Sequence, residues 1–210
     1  MSILFLIMEN EHQNQPKKYS LDEYLQLEQV AESRYEYDNG SIVKMAYTSV
    51  PHGIIVNNLN LLIGNCLFEK DCFVFAENRM LYIPYCNKSY YPDLLIICGE
   101  HKLKRMSENM EATLNPSIVI EVLSDSTEGI DKTDKFVCYR KIPTLKQFIL
   151  VSQKEKRVEI YNRLENTEKW LLETAEDDHE TVQIGDCVFK VKDIYRRINF
   201  QDTAEQSSDS

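Results

Sequence analysis

A chain of 210 residues with 43% hydrophobic and 28% charged residues carries enough apolar material for a real core, and its composition excludes a wholly disordered protein. The formal net charge of −10 and pI near 5.0 argue against a broad basic coat for nonspecific nucleic-acid binding, but not against a local basic patch or an acidic metal site. One domain is expected over residues 18–199, with 1–17 and 200–210 as disordered ends.

The opening "MSILFLIM" is apolar, lacks the basic start and cleavage site of a signal peptide, and is far too short to span a bilayer. It is read as a disordered start, or as a sign that translation begins at Met8, which intact-mass measurement would decide. No membrane association is expected. "YSLDEYLQLEQVA" then offers Ser20 as an N-cap with Glu23 three residues on, which is capping-box spacing, followed by leucines at helical intervals. In "RYEYDNGSIVKMA", Asn39-Gly40 lies between two β-prone runs and predicts a hairpin, because both residues tolerate positive φ. "PHGIIVNNLNLLIGNCLF" places Ile55, Leu59, Leu62 and Cys66 on one helical stripe that should pack on a sheet.

Strand-like runs follow at 72–76, 79–84, 94–98 and 117–123, with a polar loop before the last. A helix fits 129–141, further strands fit "QFILVS", "RVEIYNR" and "KWLLET", and "VFKVKDIYRRI" closes with a short strand and a helical turn. Interleaved helices and strands, with the most apolar strands in mid-chain, imply a mixed α+β (α/β) protein built on a mixed sheet. The six cysteines are scattered without a C-x-x-C pair, which argues against a zinc cage and for reduced structural thiols in a cytoplasmic protein.

The chemistry concentrates in "IVIEVLSDSTEGIDKTDKF", where Glu121 interrupts an apolar strand. A carboxylate in a dry interior must be paired, ligated or neutralised. Asp93, which opens the strand in "YYPDLLIICGE", is the expected companion: if the two strands are antiparallel neighbours, the start of one lies beside the end of the other. Two carboxylates so close repel unless a proton or a cation sits between them, and the cheapest occupant is a hard divalent ion suited to oxygen ligands, Mg2+ or Mn2+. Beyond Glu121, "SDST" leads into a helix on which Lys132, Lys135 and Tyr139 share a face, and a helix start favours an anion. Two acids, a lysine and an anion-friendly loop are the parts of a phosphodiester hydrolase. Each part also has a plainer use: Pro-Asp serves turns, and helix lysines are usually solvated.

At these residues the chain resembles the restriction-endonuclease-like PD-(D/E)XK superfamily, and within it the Uma family of endonucleases. The resemblance is carried by "YEYDNGSIVKM", the His of "PHGII", "YYPDLLIICGE", the long segment from "LNPSIVIEVLSDST" to "RVEIYNR", and "IGDCVFKVKDIYRRI", and it runs from about Tyr19 to Arg197. It implies a restriction-endonuclease-like central mixed β-sheet flanked by helices, with Asp93 and Glu121 as metal ligands and Lys135 as the catalytic lysine. It also suggests Glu36 as a supporting acid and His52 near the site, although His52 also fits a helix start and Glu36 a hairpin surface. The superfamily pattern would put lysine two residues after the second acid, where this chain has Leu123. The family's lysine lies on the following helix instead, which leaves Lys132 as a rival to Lys135.

The leading expectation is a metal-dependent endonuclease cleaving DNA, with "KLKR" (102–105) and "RK" (140–141) as candidate phosphate contacts. A noncatalytic nucleic-acid or protein-binding module on the same fold is the alternative. A toxin or accessory subunit that needs a protein partner is a third reading, and a homodimer stays open. No zinc-finger spacing or recognition helix identifies a preferred base sequence.

Overall fold

The computed structural model describes residues 17–124, Gly129 and 131–200, the side chains of Asp131 and Lys132 excepted. The ends expected to be disordered fall almost wholly outside the described residues. In chain order the elements are α1 (Leu21–Val30), β1 (Tyr35–Asp38), β2 (Ser41–Lys44), α2 (Val50–Leu67), β3 (Cys72–Ala76), β4 (Leu81–Ile83), β5 (Lys88–Tyr90), β6 (Leu94–Cys98), β7 (Leu103–Arg105), β8 (Glu111–Thr113) and β9 (Ile118–Leu123). A π-helical turn (Asp131–Lys135) then runs into α3 (Phe136–Tyr139), followed by β10 (Gln147–Ser152), β11 (Val158–Arg163), β12 (Trp170–Ala175), β13 (Thr181–Ile184), β14 (Cys187–Lys190) and α4 (Val191–Ile194). The chain divides into two compact units. Among the described residues, one comprises 17–47 with Met80–Tyr91 and Leu103–Leu114; the other comprises Thr48–Arg79, Pro92–Lys102 and those described from Asn115 onward.

The second unit is built on a mixed six-stranded sheet in the order β12-β11-β10-β9-β6-β3, with the separate hairpin β13-β14. Its central strands, β9 and β10, are buried at every position and pair in parallel, as strands joined by a helical crossover do. β6 pairs antiparallel with β9, with Leu94 opposite Ile120. One face of this sheet places Leu94, Ile96, Ile118, Ile120, Val122, Ile149 and Val151 in a core with Ile55, Leu59 and Ile63 of α2. Alternate strand residues, Glu121 among them, therefore point to the opposite face.

The first unit carries the other six-stranded sheet, β2-β1-β5-β4-β8-β7. Its hairpin turns at Asn39 (φ 42°) and Gly40 (φ 104°), and Tyr19 N–H closes it onto the Gly40 carbonyl at 2.8 Å. Helix α1 has the expected capping box: Ser20 Oγ accepts from Glu23 N–H, and Glu23 accepts from Ser20 N–H at 2.7 Å. A buried acid not anticipated in the sequence, Glu28, fastens α1 to β1. Its oxygens accept from Tyr35 N–H (2.6 Å) and the Tyr91 hydroxyl (2.8 Å), with Arg34 at 3.3 Å. Burial pushes the Tyr24 and Tyr91 phenols above their ordinary range, and the nearby Glu28 charge adds to the rise.

Three expectations are corrected. The thiols are not reduced: Cys66–Cys187 and Cys72–Cys98 are disulfides, and no described cysteine is free. Cys72 and Cys98 stand opposite each other on the β3–β6 ladder, a proximity that spacing in the sequence cannot reveal. The inference from thiols to a cytoplasmic location falls with them; no helix among the described residues is long and apolar enough to cross a membrane. The fully buried stripe of α2 is Ile55, Val56, Leu59, Ile63 and Leu67; Leu62 packs half-buried against the same core as expected, but Cys66 is exposed, the burial running on to Leu67 because residues four apart drift around a helix of 3.6 residues per turn. The polar loop before β9 contains β7 and β8, three-residue strands too short to show any alternation.

Candidate active site

Asp93 immediately precedes β6, whose first residue, Leu94, is opposite Ile120, so it lies beside the Glu121 end of β9. A hydrogen bond fixes the relation: Val122 N–H donates to Asp93 Oδ2 at 2.6 Å. The Asp93 carbonyl accepts from Glu77 N–H at 2.8 Å, so this residue is held from both neighbouring strands. Its other carboxylate oxygen, Oδ1, is hydrogen-bonded to His52 Nε2 at 2.9 Å. The aspartate side chain is 16% exposed, enough for a small ligand to reach it.

His52 is delivered by the start of α2. Ser49 is the N-cap, its Oγ accepting from His52 N–H at 3.2 Å, and Pro51 occupies the first turn, where its missing N–H costs nothing. Ser49 also donates to Gln153 Oε1 at 2.6 Å, tying the helix start to the residue that follows β10.

Glu121 is buried, and its Oε1 accepts from the Tyr139 hydroxyl at 2.7 Å with the Lys135 ammonium at 3.3 Å. Lys135 is itself 5% exposed, so it is not a solvated surface lysine. Lys135 ends the π-helical turn and Tyr139 ends α3, which follows it directly and is anchored by aromatic packing. Phe136 stacks on Phe148 (5.5 Å, 13°), meets Tyr161 at 4.7 Å and takes Trp170 edge-on at 5.4 Å, while Tyr139 lies 5.2 Å from Phe148. Phe148 faces the side of the sheet that Glu121 faces, since Leu150 is opposite Glu121 across β10–β9. One aromatic anchor therefore aims two polar side chains at one oxygen.

Five sequence-derived candidates thus find these places: Asp93, Glu121, Lys135, Tyr139 and His52 all belong to the second unit and are joined by the contacts above. Glu36 lies in the first unit, on β1 opposite Val43. The Lys132 side chain and the loop residues 125–128 lie outside what is described. The basic "KLKR" stretch spends much of its charge within the first unit: Lys104 sits 4.0 Å from the centre of the Tyr82 ring, and Arg105 donates to the carbonyls of Ser107 and Glu108. Sequence reasoning missed Ser49, which was legible as a cap before proline, and Gln153, for which no local signal existed.

The chain matches the profile of the Uma2 family, described as "Putative restriction endonuclease", over residues 21–190. It is 35% identical to the uncharacterized protein sll1609 of Synechocystis sp. (strain ATCC 27184 / PCC 6803 / Kazusa) over 150 residues, covering 71% of this chain and 83% of that protein. A second protein of that organism, slr1290, is 33% identical over 185 residues, 87% of this chain and 94% of its own length. Among solved structures, "a putative nuclease belonging to DUF820" from Anabaena variabilis ATCC 29413 superposes with a TM-score of 0.68, covering 84% of this chain and 97% of that one. At 20% identity, that similarity is one of fold.

Proposed function

The chain belongs to the Uma2 family, and from that membership we propose that it is a metal-dependent endonuclease that hydrolyses phosphodiester bonds in DNA at the Asp93–Glu121 strand edge. The observation that carries this reading is the buried Glu121 carboxylate beside the Asp93 position, with the Lys135 ammonium 3.3 Å away. A buried charge network at the margin of a sheet is costly for stability alone, and such networks concentrate at functional sites.

The donor set suits a hard cation: Asp93 and Glu121 would hold Mg2+ or Mn2+, which when bound supplies Lewis-acid charge at the scissile phosphate. The protein's own part is positional. Val122 N–H and His52 hold the Asp93 carboxylate from both of its oxygens. Lys135 and Tyr139 orient Glu121 through its Oε1, and the ammonium is the group we assign to offset charge on phosphoryl oxygens. Arg140 and Lys141, exposed just beyond α3, are the basic residues we assign to phosphate contacts.

Cleavage of a panel of DNA and RNA substrates with Mg2+ or Mn2+ tests the reading, with Glu121→Gln as the inactive control. Protein that never nicks plasmid or single strands, and whose Asp93→Ala variant binds metal as the parent does, ends it. One observation favours the rival reading of a noncatalytic binding module: Glu121 Oε1 already has two protein partners. Lys135→Ala separates the two, since an enzyme loses cleavage and keeps DNA binding, whereas a binding module has no cleavage to lose.

A further inference from the structure

We infer that the outer edge of the second unit's sheet is a stacking platform for unpaired bases of a DNA strand, centred on Phe73 and Phe75 of β3. The inference rests on the nuclease reading for its substrate and goes on to name the form that substrate takes. β3 is an edge strand, and it pairs with β6, which carries Asp93 at its start. Cys72 and Val74 pack toward the α2 core, so the alternate residues Phe73 and Phe75 face the other way, onto the side of the sheet that Glu121 faces, on the strand next to the one Asp93 leads into. The register makes the relation specific: Phe75 is opposite Leu95 and Phe73 opposite Ile97, so Phe75 lies one two-residue step, about 7 Å, from the Asp93 row.

The two rings lie with centroids 6.4 Å apart and planes inclined by 25°. His101 comes within 5.5 Å of Phe75 and 6.3 Å of Phe73, and the Arg79 guanidinium lies 5.6 Å from the Phe75 centroid. Phe73 nevertheless remains 49% exposed, a large apolar ring that the fold leaves in water. Ring faces lined with a guanidinium and an imidazole, continuous with an acidic metal-type site, match one occupant well. A base stacks on the exposed Phe73 ring, with Phe75 and His101 as its backing, and the strand runs on past the Arg79 guanidinium beside Phe75. In a duplex the base faces are stacked on each other and only edges and phosphates are presented, so the platform selects an unpaired segment beside the scissile bond.

The test is fluorescence anisotropy of the full chain with a labelled oligothymidylate and with a duplex of equal length, in Ca2+ without Mg2+ or Mn2+. Phe73→Leu keeps an apolar side chain and removes the π face; it should weaken single-strand binding by roughly 5- to 150-fold and leave duplex binding unchanged. Phe73→Tyr, which keeps the ring, should bind as the parent does. Parental single-strand affinity in a folded Phe73→Leu variant overturns the platform. If that variant still cleaves duplex plasmid, the nuclease reading stands without the platform. Phe73-dependent binding with no cleavage under Mg2+ or Mn2+ overturns the catalytic reading and leaves the platform. A parent protein that binds neither strand form overturns both.

Discussion

Lys135 Nζ stands 3.3 Å from Glu121 Oε1 where the two side chains are only 7% and 5% exposed, and the Tyr139 hydroxyl meets the same oxygen. Interior ion pairs add little net stability, but removing one partner strands a buried charge at a cost of about 3–5 kcal/mol. Lys135→Met should destabilise by an amount of that order, and adding Glu121→Gln should restore much of it. Urea unfolding of both single variants and the double measures the coupling. A double variant no more stable than Lys135→Met alone refutes the pairing. Tyr139→Phe, which deletes one buried donor, should cost about 1–3 kcal/mol.

His52 is bonded to Asp93 Oδ1 at 2.9 Å, and in the proposed metal site it would orient that carboxylate. Residues that orient a ligand in this way typically cost 10- to 100-fold in affinity or activity when removed. His52→Ala should therefore weaken Mn2+ binding in calorimetry by about 10- to 100-fold and leave the melting temperature nearly unchanged. Asp93→Ala should lose binding altogether. Parental Mn2+ affinity in His52→Ala would reduce the imidazole to packing.

Gly40 adopts φ 104°, and a Cβ there would come within 3.0 Å of Lys18 Cδ and 3.3 Å of Lys18 Cβ. Backbone strain and crowding act in the same direction, so Gly40→Ala should cost more than about 1 kcal/mol, read as a lower urea midpoint at unchanged slope. Gly64→Ala, on α2 with nothing within 4 Å, should be neutral or mildly stabilising.

Tyr24 and Tyr91 carry phenols raised above the usual value of 10.0 by burial, with the Glu28 charge contributing. Because the folded values are the higher ones, this contribution is complete below pH 10 and is lost as the pH climbs from the unfolded-chain value toward the folded one. Melting temperature should fall steeply on the alkaline side, and Tyr24→Phe should flatten that fall. An identical alkaline limb in that variant would exclude Tyr24 as its source.

Much of this architecture is legible along the chain wherever a local signal is strong. The Ser20–Glu23 box, the Asn39-Gly40 turn and the apolar runs of β6, β9 and β10 are written in neighbouring residues. The antiparallel pairing of β6 with β9 follows from asking what a buried Glu121 requires. Contacts that depend on tertiary closure are not written locally: the Val122 N–H to Asp93 bond, the Gln153 contact with Ser49, and the aromatic seat of Phe136 on Phe148 and Trp170. The π-helical turn before α3 also escapes a period-based reading, since a widened turn shifts which residues share a face. The same limit hid the disulfides, one of which joins residues 121 positions apart.

That longer disulfide gives α2 two fixed points. Near its C-terminal tip Cys66 is bonded to Cys187, and near the other tip His52 reaches Asp93, about 21 Å away along a rise of 1.5 Å per residue. A rod clamped by a covalent bond at one end has little travel along its axis at the other. The imidazole is thus kept from retreating by sulfur atoms that never approach it.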